Sequence, residues 1–131
     1  MRFDRADLST LPLPDGAADI IVASCALGST ANPLVLLSEI ARILSPHGTA
    51  VLVEDVPEGG RTKARKATVL PTLQRPGRNE DFLRTAVKRC SLREAAQMTR
   101  YPAGNDSFLE IHLSHGGPPP ARRGGSSWHL T

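Results

Sequence analysis

Residues 14–55 read PDGAADIIVASCALGSTANPLVLLSEIARILSPHGTAVLVED, and this stretch decides the fold. Residues 20–23 form an unbroken apolar run, mostly β-branched, which predicts a strand buried on both faces. Residues 50–53 repeat the pattern, and Glu54 and Asp55 stand at the carboxyl end of that second strand. With the helix between them, the two strands predict a right-handed β-α-β crossover within a parallel sheet.

The helix of this unit has a clear start and a clear end. Asn32 followed by Pro33 is typical of a helix start, with a capping residue and then proline at the first helical position. Residues 45–48, Ser-Pro-His-Gly, end the helix, because proline cannot continue it and glycine allows the turn. Between these points the apolar residues recur at helical spacing and predict one broad buried face; they are Leu34, Leu36, Leu37, Ile40, Ala41, Ile43 and Leu44.

The remainder of the chain predicts a smaller set of elements. Residues 61–70 predict a helix that begins with a basic cluster, and residues 80–88 predict another. Residues 91–94, Ser-Leu-Arg-Glu, have the capping-box pattern of a further helical turn. Residues 108–114 alternate between apolar and polar, which predicts a half-buried antiparallel strand at or near a sheet edge.

The domain organisation follows from a change in composition near residue 116. We expect an α/β domain over residues 1–115, followed by a proline-, glycine- and arginine-rich flexible tail or linker over residues 116–131. The 131 residues suffice for one core, which must be aliphatic because only 4% are aromatic. The net charge of +3 is scattered along the chain, which argues against a nucleic-acid face.

No apolar run is long enough to cross a membrane, and the first residues lack the apolar core of a signal peptide. We therefore expect a cytoplasmic protein without a membrane partner. Cys25 ends a strand and is expected to be a small buried residue, and a disulfide with Cys90 is not expected. His112 and His115 would point to opposite sides of a strand, so no metal site is predicted.

Ligands of open parallel sheets bind outside the carboxyl ends of the strands. Those ends are followed by residues 24–31 and 55–62. No glycine-rich turn precedes the β-α-β unit, so the sequence predicts a partial, Rossmann-like sheet with flanking helices, truncated at its N-terminus. Absent first strands would leave one edge of the strand pair exposed. No catalytic residue and no cofactor are expected in this chain.

Three segments resemble class I S-adenosylmethionine-dependent methyltransferases: residues 11–24 (LPLPDGAADIIVAS), 32–48 (NPLVLLSEIARILSPHG) and 49–55 (TAVLVED). The resemblance implies that this chain corresponds to the C-terminal half of the class I methyltransferase fold. It also implies that Asp7 and Leu8 would contact adenine, with the Asp7 carboxylate accepting from the exocyclic amine and the Leu8 N–H donating to the ring. The alternative is that Asp7 is an ordinary turn or cap residue.

A narrower resemblance, to the N-terminal methyltransferase-like domain of the anamorsin family, extends over nearly the whole chain. It rests on residues 28–30 (GST), 39–44 (EIARIL), 63–73 (KARKATVLPTL), 108–114 (FLEIHLS) and 125–127 (GSS). It implies a non-catalytic scaffold or docking domain in cytosolic iron–sulfur cluster assembly, here without the cluster-binding cysteine motifs, and a protein partner such as a diflavin reductase. The alternative is a methyltransferase fragment that uses S-adenosylmethionine but lacks the glycine-rich cofactor loop.

Overall fold

A computed structural model describes residues 6–56, 78–103, 106–116 and 127–130 of the chain. Its elements, in chain order, are β1 (Ala18–Ser24), α1 (Ala26–Ser29), α2 (Pro33–Ile43), β2 (Leu44–Val56), α3 (Glu80–Arg89), β3 (Arg93–Glu94), β4 (Thr99–Ala103), β5 (Asp106–Ser114) and β6 (Ser127–Leu130).

The strands of the described residues form one mixed sheet in the order β3-β5-β2-β1-β6, with β4 also paired to β5. Strands β1 and β2 are parallel and are joined through α2, so the predicted β-α-β crossover is confirmed. Strand β5 runs antiparallel to β2, and β3 and β4 pair with its other edge. The α/β class with a partly parallel sheet is therefore confirmed, and β5 is an antiparallel strand next to the strands at one edge of the sheet, as predicted.

One hydrophobic core lies between the helices and a single face of the sheet. Helix α2 begins at Pro33, as predicted, although the Asn32 side chain makes no capping hydrogen bond. Helices α2 and α3 contact each other, and both contribute to the same core. The fully buried side chains of this core include Ile21, Leu36, Leu37, Ile40, Ile43, Leu52, Leu83, Leu109, Ile111 and Leu113.

The opposite face of the sheet is more accessible than the sequence predicts. Ile20 is 45% exposed, whereas its neighbour Ile21 is fully buried. Successive strand residues point to opposite faces, and the core helices cover only the face that carries Ile21. The prediction that residues 20–23 are buried on both faces is therefore wrong for the part of the chain that the structure describes.

The segment of residues 91–94 differs from its predicted conformation. Arg93 and Glu94 form β3, paired with Ser114 and Leu113 of β5, so the predicted helical turn at residues 91–94 is wrong. Here strand pairing overrides the local capping pattern. The predicted basic helix at residues 61–70 lies outside the described residues.

The C-terminal segment also differs from the expected tail. Ser127–Leu130 form β6, which pairs in parallel with residues 20–23 of β1. The edge of β1 that was expected to be exposed therefore carries a neighbouring strand. Composition could not predict this, because residues 116–126, which precede β6, are rich in proline, glycine and arginine.

The segment before β1 is tied to α2 by one arginine. The guanidinium of Arg42 donates to the carbonyl oxygens of Leu13 (2.7 Å) and Leu11 (3.0 Å) and to Asp15 (2.9 Å). Glu39, one turn earlier, accepts from Arg42 Nε at 2.8 Å and from the Leu11 N–H at 2.8 Å. The hydrogen bond with Arg42 is the main reason that the pKa of Glu39 lies below its usual value. These contacts fix the chain that leads from residue 7 into the sheet.

Candidate functional site

The carboxyl ends of β1 and β2 lie side by side and are linked directly. Ser24 pairs with Val53, and the N–H of Cys25 donates to the Val53 carbonyl oxygen at 2.8 Å. Cys25 has a left-handed backbone conformation (φ 54°, ψ 23°), which turns the chain out of the strand and into α1. The same bend exposes Cys25, so the prediction that this cysteine is buried is wrong.

Glu54 anchors the turn that follows β1. Its Oε1 accepts a hydrogen bond from the N–H of Gly28 at 2.8 Å, and its Oε2 accepts from the N–H of Leu27 at 3.3 Å. The N–H of Ala26 also donates to this carboxylate. Glu54 is only 1% exposed. The side chain therefore satisfies the amide groups at the start of α1, which have no partners within the helix.

The buried position of Glu54 changes its acidity. Burial raises the pKa of this carboxyl from 4.5 to about 7, although hydrogen bonds from the N–H groups of Gly28, Leu27 and Ala26 oppose the shift. The nearby charge of Asp55 adds a smaller increase. Both protonation states are therefore populated near neutral pH.

Sequence reasoning assigned Glu54 no role beyond ending a strand. The signal that could have revealed it is the alternation along β2. Leu52, Glu54 and Val56 are separated by two residues each and share the buried face of the strand. A carboxylate in register with buried apolar neighbours requires donors inside the fold, and here the backbone of residues 26–28 supplies them.

The predicted site residues Asp7 and Leu8 lie in a tight turn. Asp7 Oδ1 accepts from the N–H of Ser9 at 2.8 Å and from its hydroxyl at 2.7 Å. The carbonyl oxygen of Asp7 accepts from the N–H of Thr10 at 3.1 Å. The hydrogen bonds from Ser9 lower the pKa of the Asp7 carboxyl. Asp7 is exposed, while Leu8 is half-buried and packs against the core.

A second arginine holds the loop that follows α1. Arg78 Nη2 donates to the carbonyl oxygen of Thr30 at 3.1 Å. The guanidinium carbon of Arg78 lies 4.1 Å from the ring centroid of Phe82, in a cation–π contact. The start of α3 is thereby fixed beside the carboxyl ends of the strands. Among the described residues, no three His, Cys, Asp or Glu side chains lie close enough to hold a metal ion, and no helix is long and apolar enough to cross a membrane.

Comparison with known proteins identifies the fold. The family model of the methyltransferase domain matches residues 1–52. Among solved structures, a SAM-dependent methyltransferase from Aquifex aeolicus aligns with a TM-score of 0.61 and 16% identity, over 86% of this chain and 53% of its own. A SAM-dependent, possible histamine N-methyltransferase from Thermotoga maritima aligns with a TM-score of 0.65 and 16% identity, over 84% and 62% of the two chains.

The protein therefore has the Rossmann-like fold of the class I methyltransferases. Identities of this size show the fold alone. The [4+2]-cyclase SpnF illustrates the point, since it aligns with a TM-score of 0.63 and 16% identity, over 90% of this chain and 57% of its own. The chain spans about half to two thirds of the length of these three structures.

These findings correct the expectation that the chain takes no cofactor. The methyltransferase-domain match and the SAM-dependent methyltransferases among the structural neighbours point to S-adenosylmethionine. The expectation was wrong because it treated a missing glycine-rich turn as a missing site, whereas residues 1–52 match the methyltransferase domain without such a turn. The narrower resemblance to anamorsin receives no support from these comparisons.

The Asp7 turn has the donors and acceptors that the adenine end of this cofactor requires. Both hydrogen bonds to the Asp7 carboxylate use Oδ1. Within residues 6–56, neither Asp7 Oδ2 nor the Leu8 N–H makes a hydrogen bond. A carboxylate oxygen next to a backbone N–H matches the amine and the ring nitrogen at one edge of adenine. This part of the molecule therefore fits the cofactor.

Proposed function

We propose that this chain binds S-adenosylmethionine through the Asp7–Leu8 turn and serves a class I methyltransferase reaction. The proposal is supported by the methyltransferase-domain match over residues 1–52, which contains the turn, β1, α2 and most of β2. The observation that carries it is the turn itself. Ser9 holds one oxygen of the Asp7 carboxylate and leaves the other available to a ligand.

In this proposal Asp7 and Leu8 recognise the base. The Asp7 carboxylate accepts a hydrogen bond from the exocyclic amine of adenine, and the Leu8 N–H donates to the ring. When bound, the cofactor supplies an electrophilic methyl group for transfer to a nucleophile. Arg42 keeps the turn in place indirectly, because it holds the Leu11 and Leu13 carbonyl oxygens that follow the turn.

The methyl acceptor would approach over the carboxyl ends of β1 and β2, where ligands of open α/β sheets bind. Glu54 is buried there and acts as a positioning residue, since it holds the backbone of residues 26–28. The scaffold role in iron–sulfur cluster assembly and the diflavin reductase partner stay predictions from the anamorsin resemblance, and no contact in the described residues favours them.

The test is calorimetric titration of the full chain with S-adenosylhomocysteine, the product that remains after methyl transfer. Asp7→Asn keeps an oxygen that can accept from Ser9. It replaces the second oxygen with an amide NH2 group, which donates hydrogen bonds and cannot accept one from adenine. We expect this variant to raise Kd about tenfold or more. Asp81→Asn is the matched control, because Asp81 is an exposed carboxylate in the first turn of α3.

Saturable binding that weakens in Asp7→Asn and persists in Asp81→Asn supports the proposal. Absence of binding by the unaltered chain contradicts it. Equal affinities of all three proteins would show that the ligand binds without the Asp7 carboxylate. Thermal melting of each variant shows whether the change in Kd comes from the site or from loss of the fold.

A further inference from the structure

Glu54 joins two parts of the fold through hydrogen bonds that depend on its charge. Its carboxylate stands near the end of β2, whereas its donors belong to the turn that follows β1 (residues 25–29). The N–H of Gly28 donates to Oε1 at 2.8 Å and the N–H of Leu27 to Oε2 at 3.3 Å. The N–H of Ala26 donates to the same carboxylate. Three consecutive backbone groups therefore depend on one side chain of the neighbouring strand.

Protonation changes what this carboxyl group does for the turn. An ionised carboxylate only accepts hydrogen bonds, and its bonds with N–H donors are about twice as strong as those of a neutral acceptor. A protonated carboxyl carries an O–H donor on one oxygen, so it accepts from N–H groups less well. Glu54 is 1% exposed, so water does not replace the hydrogen bonds that weaken. The turn is therefore held more loosely when Glu54 is neutral.

Asp55 is the charged neighbour that acts on Glu54, and its negative charge favours the neutral form. Helix α1 has no ionisable side chain, and the residue opposite Glu54 on β5 is Leu109. On α2, Glu39 and Arg42 bind each other. The other ionisable residues on or beside the neighbouring elements are Asp19, Cys25, His47, Arg78, Glu80, Asp81, Arg84, Lys88, Arg89, Glu110 and His112.

We propose that Glu54 is a proton-controlled switch for the ligand site, in which the ionised side chain holds the turn of residues 25–29 in its binding conformation and the neutral side chain releases it. The inference rests on the proposed function, which places the ligand beyond the carboxyl ends of β1 and β2. The backbone of Cys25 supports it. A non-glycine residue with φ of 54° persists only where neighbouring contacts hold it, and the Glu54 hydrogen bonds follow it directly.

The direction of the effect follows from the fraction of ionised protein. With a pKa of about 7, Glu54 is ionised in roughly 9% of molecules at pH 6 and in roughly 91% at pH 8. The apparent affinity falls in proportion to the fraction of protein that is competent to bind. The Kd for S-adenosylhomocysteine should therefore be about tenfold lower at pH 8 than at pH 6.

Folding stability depends on Glu54 in the opposite direction. The pKa of this carboxyl is raised in the folded state, so its contribution to stability is lost as the pH rises through 7. Affinity, in contrast, should increase over the same range. A change in the amount of folded protein therefore cannot produce the expected affinity profile.

The test is calorimetric titration of the full chain with S-adenosylhomocysteine at pH 6, 7 and 8. Glu54→Gln carries a permanently neutral amide, so its Kd should not vary with pH and should stay close to that of the unaltered protein at pH 6. Glu94→Gln is the matched control, because Glu94 is an exposed carboxylate, and it should keep the tenfold change. Both variants retain all four histidines, so any pH dependence that histidines cause would persist in Glu54→Gln.

Two further measurements need no variant. Because the ligand favours the ionised form, binding at pH 7 should release about half a proton per ligand, which titration in buffers of different ionisation enthalpy measures. In the ligand-free protein, the amide proton resonance of Gly28 should shift with a midpoint near pH 7, because this N–H donates to Glu54. These readouts decide the question even if Glu54→Gln fails to fold.

The outcomes separate the inference from the proposed function. If the unaltered chain does not bind S-adenosylhomocysteine at any of these pH values, both fail. If it binds with the same Kd from pH 6 to pH 8, or if the tenfold change persists in Glu54→Gln, the inference fails and the proposed function stands. A Glu54→Gln protein that binds at every pH as tightly as the unaltered protein does at pH 8 also overturns the inference.

Discussion

Oε1 of Glu54 lies 2.8 Å from the backbone nitrogen of Gly28, so the end of β2 holds the turn that follows β1. The hydrogen bond joins residues 26 positions apart in the sequence. One side chain therefore links the carboxyl ends of two parallel strands. Within the described residues this buried carboxylate accepts from backbone N–H groups, and it thereby fixes the shape of the loop that follows β1.

Glu54 should make the stability of the protein depend on pH. Its pKa is about 7 in the folded state, against an ordinary value of 4.5. The folded protein therefore binds more protons than the unfolded chain between these values, and the contribution of Glu54 is full below pH 4.5 and lost as the pH rises through 7. We expect this group to lower the free energy of unfolding by up to ~3 kcal/mol over that range.

Denaturant unfolding at a series of pH values would measure this effect. Glu54→Gln cannot titrate, so its stability should lack the decline that Glu54 causes. Glu94→Gln is the control, because Glu94 is exposed, and its profile should follow that of the unaltered protein. Parallel pH profiles for Glu54→Gln and the unaltered protein would contradict the assignment.

Arg42 should be important for stability although it lies at the surface. Arg42→Met keeps the aliphatic stem but leaves the Leu11 and Leu13 carbonyl oxygens without their donor. We expect Tm to fall by roughly 5–10 °C. Arg84→Met removes a partly exposed ion pair with Glu80, at 3.7 Å, and should change Tm little. Equal shifts in calorimetric scans of the two variants would refute a special role for Arg42.

Two of the three leucines of α2 should differ sharply in their contribution to stability. Leu37 is fully buried, whereas Leu34 is 41% exposed. Leu37→Ala should therefore destabilise the fold by about 2–5 kcal/mol. Leu34→Ala should stay within about 0.5 kcal/mol of the unaltered protein. Chemical denaturation distinguishes the two results, and a comparable loss in both variants would show that the helix face is assigned wrongly.

Gly48 should tolerate no side chain. A Cβ at this position would lie 2.7 Å from Leu44 Cδ1 and 2.9 Å from the Asp19 carbonyl oxygen. Gly48→Ala should therefore cost about 1–3 kcal/mol through steric overlap. Gly16→Ala provides the comparison, because Gly16 has a positive φ of 66° with open space around it, and backbone strain alone should cost about 1 kcal/mol. A Gly48→Ala variant as stable as Gly16→Ala would contradict the close packing at β2.

The parts of the fold that local patterns determine could be predicted from the sequence. Asn32 and Pro33 marked the start of α2, and the alternation around Ile111 identified β5 with its correct buried face. The pairing partners could not be predicted in the same way. Alternation at residues 108–114 says which face is buried, but not that β3 and β4 occupy the far edge of β5.

The candidate site shows the same limit. The predicted role of Asp7 came from a resemblance to a known family and not from a local pattern. The hydrogen bonds between Asp7 and Ser9 are local and typical of a turn. The role of Glu54 depends on a loop on a different strand, so only the three-dimensional arrangement reveals it. Strand β6 was missed because its partner is distant in the sequence, and long-range pairing leaves little mark on composition.

The pairing of Ile20 with Ser127 also has a consequence for how the molecule is made. Ribosomes release the chain in order, so β1 emerges before β6 and lacks this neighbour until synthesis reaches residues 127–130. During that interval one flank of β1 can pair with other chains, which is a known route to aggregation. The amount of this protein that accumulates in a cell should therefore depend on protection of the β1 edge during synthesis, and not only on the stability of the folded protein.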